Sequence, residues 1–123
     1  MIGIVIVAHG GLAVEYKATM EYVVGAQTGI AAVTIRPDCD RVKKQGEICE
    51  AADRVDDGNG VVIVTDMFGG SPSNLSLLAC NCANRRVLYG ANLPLLVKLA
   101  KSRRNSVEEA IAKAINAGRK YMD

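Results

Sequence analysis

Two short segments hold the residues best suited to chemistry. One is Ala8-His9-Gly10-Gly11, directly after the apolar run Ile2 to Val7. The other is Thr65-Asp66-Met67-Phe68-Gly69-Gly70-Ser71-Pro72-Ser73-Asn74, directly after the apolar run Val61 to Thr65. His9 is the only histidine in the chain. A carboxylate that accepts the imidazole Nδ1–H fixes the tautomer and leaves Nε2 unprotonated. It also favours the positive charge that develops as the ring attacks. Asp66 is the carboxylate for that role if the two segments meet. Gly69 and Gly70 allow close backbone approach, and Ser71-Pro72 reads as a helix start. The free N–H groups and the dipole at that helix end favour an anion. Gly10, Gly69, Gly70 and Ser71 are therefore the expected phosphate cradle. A nucleophilic imidazole facing such a cradle points to phosphoryl transfer through phosphohistidine, which asks the protein for positioning and charge stabilisation.

Each piece also has an ordinary use. A histidine at a strand end can be a polar residue at the core edge, and an aspartate there can shape a turn. Gly-Gly pairs are turn chemistry, and Ser-Pro opens many helices. Convergence on one crevice is what favours function. A hydrolase built on Ser71 is poorly supported, because the G-x-S-x-G elbow is missing. A metal centre would need more ligands than one His and one Asp.

The convergence depends on the elements. Ile2 to Val7, Ile30 to Ile35, Val61 to Thr65 and Arg86 to Tyr89 read as strands. Runs such as VVIVT, apolar without alternation, belong to parallel strands covered on both faces. Between them lie helices at about Leu12 to Val24, from a cap at Asp38 or Asp40 to about Asp53, and from Ser71 to about Ala83. The first carries an apolar stripe through Leu12, Tyr16, Met20 and Val23/Val24, with Gly25 as a C-cap. Asn92, with Pro94 in the first turn, opens a fourth helix. Ser106-Val107-Glu108-Glu109 is a capping box for a last helix closing near Gly118. Strands alternating with helices predict a three-layer α/β fold around a mainly parallel sheet. The natural strand order is 2-1-3-4, a doubly wound, flavodoxin-like topology whose switch point lies between the first and third strands. Both segments end there.

A chain of 123 residues, half of them apolar, fits one domain over residues 1–123 and excludes a disordered one. With 4% aromatics and no Trp, the core must be aliphatic. A net charge of +2 is too mild to argue for nucleic acid. The cluster Lys98, Lys101, Arg103, Arg104 reads as a solvated loop. Cys39, Cys49, Cys80 and Cys82 form no C-x-x-C pair and read as free, mostly buried thiols. With no charged n-region and no long apolar stretch, the expectation is a soluble, cytoplasmic protein.

The segments GIVIVAHGGLA (Gly3 to Ala13) and VVIVTDMFGGSPSN (Val61 to Asn74) resemble the IIA component of the mannose family of bacterial sugar phosphotransferase systems. The likeness continues through Tyr89-Gly90-Ala91-Asn92-Leu93-Pro94 and the final capped helix. It implies that His9 is phosphorylated by the phosphohistidine of the carrier HPr and passes the group to a IIB component. It also implies that Asp66 is the carboxylate beside the histidine and that Ser71 opens the following helix. It implies no metal or organic cofactor, and a homodimer, in some members with an exchanged C-terminal strand. Only Arg119 to Asp123 follow Gly118, which is short for such a strand, and the expected form is a stand-alone subunit.

Within that resemblance, Leu12, Met67, Phe68, Leu93 and Pro94 are expected to form an apolar docking patch for HPr at the rim of the crevice. Two alternatives stay open. One is a regulatory phospho-switch of the same fold, in which no sugar moves. The other is the phosphotransfer subunit of a dihydroxyacetone kinase, against which Phe68-Gly69-Gly70-Ser71-Pro72 looks more like the mannose type.

Overall fold

The computed structural model describes residues 1–67, 71–78 and 84–123, with backbone alone at positions 72, 73, 77 and 78. The elements run β1 (Gly3–His9), α1 (Leu12–Val24), β2 (Ile30–Ile35), α2 (Arg41–Val55), β3 (Val61–Thr65), α3 (Ser71–Leu78), β4 (Arg85–Leu88), α4 (Leu93–Lys101) and α5 (Val107–Lys120). All strand pairs are parallel and the order is β2-β1-β3-β4. This is the flavodoxin-like α/β topology that the alternation predicts. The sequence range for the fourth strand is one residue late, and the last helix runs two residues past Gly118. The predicted end of the third helix, at Ala83, lies outside the described residues, as do Cys80 and Cys82.

The apolar runs follow from helices on both faces of the sheet. Ile4, Ile6, Ala8, Val62 and Val64 face a cluster with Met20 of α1, Leu96 and Leu99 of α4, and Ala110 and Ala114 of α5. Val5, Val7, Val61 and Ile63 face the other way, onto Ile48, Ala51 and Ala52 of α2 and Leu75 of α3. Successive side chains of a strand point to opposite faces, so two covered faces demand an apolar residue at every position. Helix α1 buries Ala13 and Met20, with Tyr16 and Val24 packed beside them, whereas Leu12 and Val23 are exposed. Its buried stripe keeps Tyr16, Met20 and Val24 of the predicted one, with Ala13 in place of Leu12. The side chain of Asp40 caps α2, accepting from Val42 N and Lys43 N. Asn92 Oδ1 caps α4 and Ser106 Oγ caps α5.

The basic cluster before α5 is corrected by the structure. Lys98, Lys101 and Arg104 are exposed, but Arg103 is buried. Its Nε donates to Ile2 O at 2.7 Å, Nη1 to Gln27 Oε1 at 3.2 Å and Nη2 to Gly29 O at 3.3 Å. The guanidinium ties the starts of β1 and β2 to the turn after α4, pairing the buried Ile2 carbonyl and adding a second donor to that of Gly29. Gly29, at φ +72, leaves room for it, since a Cβ there would lie 2.5 Å from Nη2. Arg85 is also buried, at the start of β4, with Nη2 held by Asp53 at 2.7 Å and Asp56 at 3.3 Å. Cys39 and Cys49 are free and half-buried.

Candidate functional site

The register places the two chemical segments side by side. Val7 pairs with Thr65 and His9 pairs with Ile35, so His9 and Asp66 both stand past the last β1–β3 pair. This is the carboxyl edge of the sheet at its switch point, where open parallel sheets hold ligands. Gly10 turns the chain there at φ +56, a left-handed conformation suited to glycine, and its N–H donates to Ile35 O at 2.9 Å. The β4–α4 connection closes the opposite side. Ala91 N donates to Thr65 O at 2.9 Å, and Tyr16 Oη of α1 donates to Ala91 O at 3.2 Å.

His9 Nδ1 lies 2.8 Å from Asp66 Oδ2, and the same oxygen accepts the His9 backbone N–H at 3.0 Å. The carboxylate therefore fixes both the ring and the main chain of one residue. The His9 side chain is 47% exposed and that of Asp66 10%. Burial pulls the Asp66 pKa up, but the His9 backbone N–H, the ring hydrogen bond and the ring charge together hold it below its ordinary 3.8. An ionised carboxylate only accepts, so the shared proton belongs to Nδ1 and the lone pair to Nε2. The other oxygen, Asp66 Oδ1, is buried and has no hydrogen-bond partner among the described residues. Both hydrogen bonds described for the carboxylate go to His9.

This geometry carries a pH dependence. The pKa of Asp66 is lower in the folded protein than in the unfolded chain, so its stabilisation is present above about pH 4 and fades as pH falls through the folded value. Urea unfolding at pH 6 and pH 3 should show a larger loss on acidification for wild type than for Asp66→Asn. Equal losses would remove the pair from the acid response.

Ser71 begins α3, and its Oγ accepts from Arg41 Nη1 of α2 at 3.4 Å. Gly69, Gly70 and Phe68 lie outside the described residues. Leu12 and Met67 are exposed, at 46% and 53%, beside the two strand ends. Pro94 is exposed and Leu93 half-buried, at the start of α4 on the same edge. Arg41 lies outside the two segments that residue type singles out, which follow the first and third strands. The available signal was its place directly after the Asp40 cap. The first residue of any βα helix in a parallel sheet lies at the carboxyl edge.

An open parallel α/β sheet with an imidazole–carboxylate pair at its switch point defines the class of protein. Comparison with known proteins narrows that class. The family model described as PTS system fructose IIA component (EIIA-man) matches residues 3–116. The chain is 29% identical over 121 residues to the PTS system mannose-specific EIIAB component of Escherichia coli K12, covering 96% of this chain. It spans 38% of the length of that protein. The crystal structure of phosphotransferase system component EIIA from Streptococcus agalactiae matches at TM-score 0.83 and 26% identity, covering 100% of this chain and 96% of that one. The mannose/sorbose specific IIA subunit from Enterococcus faecalis matches at TM-score 0.88, covering 99% and 92%; at 23% identity it speaks for the fold. The chain belongs to the mannose/fructose-type IIA family of the sugar phosphotransferase system. Among the described residues, no helix is long and apolar enough to cross a membrane.

Proposed function

We propose that this chain is a phosphocarrier. His9 takes a phosphoryl group from the phosphohistidine of HPr and passes it to a IIB component for carbohydrate uptake. The observation that carries the reading is the 2.8 Å contact between His9 Nδ1 and Asp66 Oδ2, which leaves Nε2 as the nucleophile. The Nε2 lone pair forms the new P–N bond as the donor P–N bond breaks. The departing ring, protonated on its other nitrogen, keeps the bonding pair and leaves neutral. His9 becomes a phosphoimidazolium whose proton stays on Nδ1, donated to Asp66 Oδ2. Its positive charge is what the depressed carboxylate stabilises, and it also keeps the group ready to leave toward IIB.

Ser71 at the start of α3, with Gly10, Gly69 and Gly70, is assigned to the phosphoryl oxygens. Leu12, Met67, Phe68, Leu93 and Pro94 are assigned to docking, because an apolar rim around a charged centre suits transient protein contact. The reading carries with it a cytoplasmic location and a homodimer.

The test is incubation of the purified chain with phosphoenolpyruvate, enzyme I and HPr. The expected product is a phosphoprotein stable to alkali and labile to acid. Absence of label, or a label stable to acid, defeats the proposal. Asp66→Asn should slow acceptance by about two orders of magnitude, since an amide cannot balance the imidazolium. An unchanged rate would take Asp66 out of the transfer.

A further inference from the structure

We infer that Arg41 binds the transferred phosphoryl group, its guanidinium lying on the phosphoryl oxygens beside Ser71; this deepens, and rests on, the phosphocarrier reading.

Three observations place it there. Arg41 is the first residue of α2, and α2 and α3 pack on the same face of the sheet, through Ile48, Ala51 and Ala52 on one and Leu75 on the other. Both helices therefore begin at the carboxyl edge. His9 ends β1, which lies between β2 and β3, the strands that lead into them. The Gly10 N to Ile35 O bond holds the end of β1 against the end of β2, so the loop leading to Arg41 starts beside the histidine. Finally, the side chain crosses from α2 to α3, with Nη1 3.4 Å from Ser71 Oγ.

The guanidinium is aimed at this edge yet poorly satisfied. Its contact with Ser71 is longer than an ordinary N–H···O bond, and a hydroxyl is neutral. Arg41 is exposed and forms no ion pair with a carboxylate among the described residues. The nearest acid in sequence, Asp40, has its Oδ1 accepting from Val42 N and Lys43 N. A planar fork of donors with one long contact is matched by an anion with several oxygens, such as a phosphoryl group. Arg41 forms no covalent bond in the transfer and yields no proton. Its part is to neutralise charge on the oxygens while the P–N bonds exchange.

The experiment compares wild type, Arg41→Gln and Arg41→Lys as purified chains with phospho-HPr. It measures the acceptance rate, the fraction phosphorylated at equilibrium, and the thermal midpoint. The expected result is acceptance about tenfold slower or worse for Arg41→Gln, at an unchanged midpoint. Its equilibrium should shift toward the unphosphorylated protein, and Arg41→Lys should recover part of both losses. A rate and equilibrium equal to wild type overturn the inference, as does a loss matched by an equal fall in thermal midpoint. If wild type itself takes no label, the phosphocarrier reading has failed. If wild type labels and Arg41→Gln does not differ, only the role of Arg41 has failed.

Discussion

His9→Ala should take up no phosphoryl group under conditions in which the wild-type chain labels fully, and it should stay folded. The reason is chemical and local. His9 is the only imidazole in the sequence, and no other side chain at the carboxyl edge offers an unprotonated ring nitrogen near neutral pH. The substitution spares the packing, because the His9 side chain is half-exposed and the helices pack on other residues. The backbone N–H of residue 9 survives in alanine and keeps its bond to Asp66 Oδ2. The carboxylate loses the ring hydrogen bond and the ring charge, so its pKa should rise and the acid-sensitive part of the stability should shrink. Labelling with radioactive phosphoenolpyruvate, followed by a melting curve on the same sample, checks both halves. Residual label on His9→Ala would move the phosphorylated atom elsewhere.

The second large effect lies at the opposite edge. Arg103→Ala should destabilise the fold by about 3 kcal/mol, lowering the thermal midpoint by roughly 10 °C. The arginine is 4% exposed and its guanidinium donates to Ile2 O, Gln27 Oε1 and Gly29 O. Gly29 O also accepts from Ile4 N, so the carbonyl left most exposed to loss is that of Ile2. An unpaired buried carbonyl costs more than a hydrogen bond contributes, and the vacated space adds to the cost. Burial works against the charge and pulls the arginine pKa down, with Asp57 pulling the other way. Arg103→Lys should fall between the two, because one ammonium cannot reproduce the fork. Labelling at 10 °C should be normal for both variants, since the group lies at the amino edge of β1 and β2, away from His9. A midpoint within about 2 °C of wild type would show that the buried guanidinium is not what ties the sheet to the α4–α5 turn.

Arg103 also marks where local reading stops. In sequence it is one of four basic residues before a helix start, and such clusters are usually solvated. Its burial comes from where the α4–α5 turn lands, beneath the first residues of β1 and β2, a contact between positions 101 residues apart. The stripe of α1 departs from the expected one at Leu12 and Val23 for a related reason. Leu12 and Val23 fit a helical period as well as Ala13 and Val24 do. The choice of face was made by the docking of α1 against β2 and α4, where a small alanine allows close approach. Arg41 shows a third limit. Its neighbour Ser71 is 30 positions away, and only the joint packing of α2 and α3 brings the two within reach.

The sequence by itself determined the elements, the parallel sheet and the identity of the chemical pair. Doubly covered strands must be apolar at every position, and polar residues at their carboxyl ends then stand out. His9 and Asp66 were legible for that reason, as were the caps at Asp40, Asn92 and Ser106, which satisfy groups within three residues of themselves. Tertiary structure decided which face each helix buried and that Arg103 went inside. It also put one carboxylate oxygen on the backbone N and the Nδ1 of His9 and laid Arg41 against Ser71. Periodicity and capping are local and survive in a linear string. Contacts between distant residues depend on how whole elements pack, which no short stretch of sequence encodes.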